Sequence, residues 1–162
     1  MKKGISKAIS VLAGGAAGAV AGSVAIGNKM NKQLKKKEDF FQKILSYYFI
    51  YNQWLSLHQQ GKSLVEYFEK NGYKTVAIYG MKELGERLYD ELKDSGITVK
   101  YIIDKNAESI YADVDVVSPD DDLEPVDVIV VTACYFFDSI DRKLGASVDY
   151  PVVSLEDIVY EV

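Results

Sequence analysis

The chain has 162 residues but only one cysteine, Cys134, and one histidine, His58. One cysteine excludes an internal disulfide and fits a reducing compartment. A lone His and a lone Cys, far apart, do not make a zinc site of the usual four-ligand kind. A single histidine that no serine or aspartate pattern accompanies also leaves no Ser-His-Asp set. Acid is missing from residues 1–37, which hold eight lysines, while the remaining residues carry 11 bases against all 24 acids, a balance of −13. The formal net charge of −5 therefore averages a basic head and a strongly acidic body. An acidic body argues against a nucleic-acid partner, because phosphate contacts need a positive face. It does not exclude a nucleotide, which backbone N–H groups can hold at one point.

Charge of either sign is absent from Ala8 to Gly27, a 20-residue run bracketed by lysines. As a helix it is about 30 Å long, the thickness of a bilayer hydrocarbon core. Gly14, Gly18 and Gly22 recur every four residues, so one face would let a second membrane helix approach closely. Three readings stand: a transmembrane anchor, a buried or surface Ala/Gly helix, and a signal peptide, which the length of the run and the following lysines disfavour. Three lysines precede the run and five follow it by Lys37. As an anchor, it places the body at the cell membrane facing the cytoplasm. As a body helix, it leaves the chain cytoplasmic.

Proline and glycine are absent from Glu38 to Gln60, and Gly61 supplies a stop, which predicts one helix. Phe40, Phe41, Tyr47, Tyr48, Phe49, Tyr51 and Trp54 crowd it on more than one side. It can pack on the body, lie at a membrane interface, or pair with another copy. The chain thus divides into residues 1–37, a basic anchoring helix; 38–73, an aromatic linking helix and a short helix; and 74–162, the folded body. Assembly of a homo-oligomer through the N-terminal helices is expected. Gly61-Lys62-Ser63 has the look of a phosphate-binding loop, but its earlier glycine is missing: Ser56 stands there, and no strand precedes it. Ser63 and Glu66 read instead as a capping box.

From Thr75 the pattern becomes an ordered alternation. Thr75–Tyr79 is a short apolar run suited to a strand buried on both faces. Gly80 follows, then a helix with Leu84, Leu88 and Leu92 on one stripe, stopped by Gly96. Thr98–Asp104 is a second strand ending on an acid. Strands at 114–117, 127–132 and 151–154 follow, with helices at 135–144 and 155–160. The alternation predicts an α/β body with a doubly wound parallel sheet of about five strands, ordered 3-2-1-4-5 by right-handed crossovers.

The stretch Val76-Ala-Ile-Tyr-Gly-Met-Lys-Glu-Leu-Gly85, then Tyr101-Ile-Ile-Asp104 and Val128-Ile-Val-Val-Thr132, resembles the small Rossmann-like domains of bacterial polysaccharide-biosynthesis proteins. Those domains are related to nucleoside-diphosphate-sugar epimerase/dehydratase proteins. The resemblance covers residues 74–162. It implies an NAD(P) or nucleotide-sugar site at the ends of the strands, built from Gly80, Met81, Lys82, Gly85, Asp104 and Thr132. Gly80 and Gly85 match the first and third glycines of the G-x-G-x-x-G turn, and Asp104 the ribose-binding acid. The second glycine is missing, with Lys82 in its place. A side chain there either obstructs the pyrophosphate or offers it an ammonium.

Catalytic residues are sparse. Tyr101 and Lys105 have a Tyr-x-x-x-Lys spacing, but across a strand end, where it does not put them on one face. Cys134 follows the fourth strand, where it reads as a small apolar residue at a strand end; a nucleophile there would need a lowered thiol pKa. Asp120, Asp121 and Asp122 read as a solvated acidic turn. With no room in about 90 residues for a second domain, the expected function is a membrane-tethered nucleotide- or nucleotide-sugar-binding accessory protein, its site either working or degenerate, connected with surface polysaccharide. An enzyme or enzyme subunit and an oligomeric scaffold are the alternatives.

Overall fold

The computed structural model of the chain describes the backbone of residues 2–162 and the side chains of residues 29–162. It divides into two compact units, residues 1–45 and 46–162. A single helix, α1 (Lys2–Gln59), replaces the two separate helices expected from the sequence. Lysine is a good helix former, and no proline or glycine interrupts residues 28–59, so the lysine-rich stretch has no reason to break the helix. The uncharged run 8–27, with Gly14, Gly18 and Gly22, lies within α1, and its side chains are outside the described residues. Among the described residues, no helix is long and apolar enough to cross a membrane.

The second unit contains α2 (Val65–Asn71), β1 (Thr75–Tyr79), α3 (Glu83–Leu92), β2 (Thr98–Ile103), β3 (Asp115–Val117), β4 (Val128–Val131), α4 (Phe137–Leu144), β5 (Val152–Ser154) and α5 (Leu155–Glu161). The five strands form one parallel sheet in the order β3-β2-β1-β4-β5. This is the order that right-handed crossovers dictate. Between β1 and β2 the register shifts after Val76, and Lys100 is the unpaired residue. This bulge puts Val99 and Ile102, three apart, on the same face.

Each face has its own core. On one, Val76, Ile78, Ile102, Val128 and Val130 meet Leu84, Leu88 and Leu92 of α3, Leu155, Ile158 and Val159 of α5, and Ile50, Trp54 and Leu57 of α1. On the other, Ala77, Tyr79, Tyr101, Ile103, Ile129 and Val131 are covered by Ile140 and Leu144 of α4. Helix α3 ends at Leu92, three residues before the expected Ser95. The Leu92 carbonyl accepts both the Ser95 N–H at 2.9 Å and the Ser95 hydroxyl at 2.7 Å, a tight turn that takes the place of another helical turn.

Helix α3 is bound to the α1–α2 turn by one carboxylate. Glu91 Oε2 accepts from Trp54 Nε1 at 2.6 Å and contacts His58 Nε2 at 3.2 Å. Its Oε1 accepts from Ser63 Oγ at 2.8 Å and from the Leu64 N–H at 2.7 Å. The Gly61-Lys62-Ser63 turn is thus occupied by the fold: Lys62 Nζ donates to the Val162 main-chain oxygen at 2.6 Å. Glu66 reaches back to the Ser63 N–H at 3.3 Å, one half of the capping box, while the Ser63 hydroxyl turns to Val65 N and Glu91.

Candidate functional site

The six candidate residues stand at the C-terminal edge of the sheet, around the switch between β1 and β4 where open α/β sheets bind ligands. Gly80 leaves β1 with φ +95°, a conformation that favours glycine, and its N–H donates to Ile103 O at 2.8 Å. Gly85 is buried in the first turn of α3. A Cβ there would lie 2.0 Å from the Gly80 carbonyl oxygen, so the helix can sit this close only because residue 85 has no side chain. Thr132 closes the other side. Its N–H donates to Tyr79 O, and its hydroxyl lies 3.0 Å from Tyr79 O and 2.7 Å from Gly80 O. These three residues pack the turn against itself.

Asp104 follows β2 and is 8% exposed. Its Oδ2 accepts the Met81 N–H at 3.1 Å, and its Oδ1 accepts the Asn106 N–H at 2.9 Å. The acid matching the ribose-binding residue therefore ties the glycine turn to the loop after β2. Met81 is half-buried against the core. Lys82 is exposed at the start of α3, its backbone extended, with no salt bridge among those of the described residues. Glu83 and Glu86 occupy the first turn of α3. Their charges complement the helix dipole and oppose an incoming phosphate.

Tyr101 is buried on the α4 face and donates to Glu124 O at 2.5 Å, whereas Lys105 is exposed, so the two make no catalytic pair. Burial, reinforced by Tyr150, pushes the Tyr101 phenol well above its ordinary range. Cys134 is also buried, its Sγ directed at the carbonyls of Thr132 (3.5 Å) and Val131 (3.7 Å). Burial raises its thiol above the ordinary value, which keeps it protonated at neutral pH. In the folded chain, Ellman's reagent at pH 8 should find no fast-reacting thiol, and one equivalent should appear on unfolding in urea. A burst of labelling in the native state would contradict this placement. Asp120 pairs with Lys143, and Asp121 Oδ2 accepts the Ser118 N–H at 2.8 Å. Among the described residues, no group of three His, Cys, Asp or Glu is placed to hold a metal.

Two features escaped the sequence. Tyr47 and Tyr51 of α1 pack, half-buried, against the core that also holds Leu84 of α3. Tyr135 and Phe136, in an edge-to-face pair 5.1 Å apart, are exposed just beyond β4. Neither had a local signal, because both depend on where α1 and the loop after β4 are carried by the fold. Comparison with protein-family models, curated proteins and solved structures finds no match to this chain.

Proposed function

We propose that this chain is a noncatalytic accessory protein, whose Rossmann-like body retains the dinucleotide turn as architecture in place of a working site. The observation that carries this reading is the engagement of both Asp104 oxygens by main-chain N–H groups. Asp104 is also only 8% exposed, so a ribose hydroxyl would have to reach a buried carboxylate that already turns both oxygens to the chain's own amides. The packed Gly80–Gly85–Thr132 contact and the carboxylates at the α3 N-terminus support it further. In this proposal residues 8–27 tether the body to the membrane, and the resemblance of 74–162 suggests a setting in surface-polysaccharide synthesis.

Calorimetry of the full chain with NAD(H), NADP(H), UDP-sugars and coenzyme A tests the reading. No heat of binding is expected at millimolar ligand. Lys82→Gly restores the missing glycine but leaves Asp104 engaged, so it should gain no affinity. Micromolar binding by the unmodified chain would overturn the proposal. Affinity created by Lys82→Gly alone would show that the lysine, and not the engaged acid, had closed the site. Micromolar binding that Lys82→Gly weakens would assign the lysine a phosphate-gripping role.

A further inference from the structure

The turn that ends α2 carries a chemistry of its own, separate from any nucleotide. Of the five asparagines in the chain, only Asn71 is followed by glycine. An asparagine in that setting can close on its own backbone. The Gly72 main-chain nitrogen adds to the Asn71 side-chain carbonyl carbon, and the bond from that carbon to Nδ2 breaks. Ammonia leaves with the proton that the Gly72 nitrogen gives up, and a five-membered succinimide remains. Water then opens the imide at either carbonyl. One opening gives aspartate, and the other gives isoaspartate, with the main chain rerouted through the side chain. Glycine suits the closure best, because it has no side chain to crowd the attacking nitrogen or limit the backbone. The site is open to water. Asn71 and Gly72 are both exposed, and no atom lies within 4 Å of where a Gly72 Cβ would stand.

We infer that Asn71 is a self-modification site of this chain, gated by the C-terminal cap of α2. In the closed cap both reacting groups are engaged. Asn71 Nδ2 donates to the Tyr67 carbonyl at 2.8 Å. The Gly72 N–H donates to Glu69 O at 3.1 Å and is shared with Phe68 O, while Gly72 takes the left-handed conformation at φ +73°. The Tyr73 N–H completes the cap on Phe68 O at 2.9 Å. These bonds hold the Asn71 side chain back along the helix, away from the nitrogen it must meet. Closure therefore waits for the last turn to open. That opening is local, because Glu69, Lys70, Asn71 and Gly72 are exposed whereas Phe68 beneath them is fully buried. The change runs one way. A carboxylate at position 71 has no hydrogen to give the Tyr67 carbonyl, and its charge opposes the negative end of the helix dipole. The modified cap thus closes less firmly than the original.

Peptide mass spectrometry of the full chain, aged at pH 8 and 37 °C, measures this site by site, with isoaspartyl methyltransferase marking the rerouted product. In guanidinium chloride, where the cap is gone, Asn71 should deamidate ahead of the other asparagines. In native buffer the same residue should react at least about tenfold more slowly, the protection that one or two net hydrogen bonds confer. Glu69→Gly, an exposed change that weakens the last turn of α2, should raise the native rate about fivefold and leave the rate in denaturant unaltered. Equal rates in native buffer and in denaturant would overturn the inference, since the cap would then gate nothing. So would an absence of product at Asn71 in denaturant. A native rate that Glu69→Gly leaves unchanged would also overturn it, because the reaction would not pass through the open turn.

Discussion

Gly85→Ala should lower the stability of the body by about 3 kcal/mol, at the upper end of what overpacking costs. The added Cβ would stand 2.0 Å from the Gly80 carbonyl oxygen and 3.4 Å from Thr132 Oγ1. The nearest obstacle is backbone, which cannot rotate away as a side chain can. Relief requires α3 to lift from β1 or the Gly80 turn to open, and the second route breaks the Met81–Asp104 hydrogen bond. Gly61→Ala is the control. Gly61 has φ +76°, but no atom lies within 4 Å of where its Cβ would stand, so only the backbone conformation is penalised, by about 1 kcal/mol. Urea unfolding of the two variants should separate them clearly. Equal losses would mean that the close approach of residues 80 and 85 is not a rigid feature of the fold.

Glu91→Ala should cost about 3 kcal/mol, because it leaves the Trp54 indole N–H and the Leu64 amide without their acceptor and also removes the bond from Ser63. Glu91→Gln should lose roughly 2 kcal/mol, since its amide oxygen can replace one carboxylate oxygen while its NH₂ group faces donors. Trp54 is the only tryptophan, so its fluorescence reports this joint without a label. Unfolding should show the loss of stability, and the native emission of Glu91→Ala should shift to the red as water reaches the indole. Unchanged stability and emission would show that α1 is held by apolar contact alone.

The outline of the fold was legible because each signal was local. Thr75–Tyr79 has the same bounds in sequence and structure, since five apolar and β-favouring residues run directly into Gly80. The strand order followed from the alternation of elements and the handedness of crossovers. The continuity of α1 was missed because a block of lysines reads as a boundary in charge, although it is none in backbone terms. The site was legible only in part. Gly80 and Gly85 could be placed, and their packing role is what the third glycine of such a turn ordinarily performs. Whether the oxygens of Asp104 face a ligand or the chain's own amides depends on the path of residues 104–106, and spacing along the sequence carries no trace of it. Glu91 was equally silent, because its partners lie 27 to 37 residues away.

The latch formed by Asp104 has a consequence for how such a domain can change over generations. Opening this turn to a ligand would require the release of Met81 and Asn106 from the carboxylate. Either release, taken alone, loosens the turn before any ligand is present to compensate. Any path to an open turn therefore crosses a less stable protein, while single substitutions elsewhere on the surface do not. The carboxylate thus acts as a clasp that surface substitutions leave shut, and only changes that also destabilise the turn can open it.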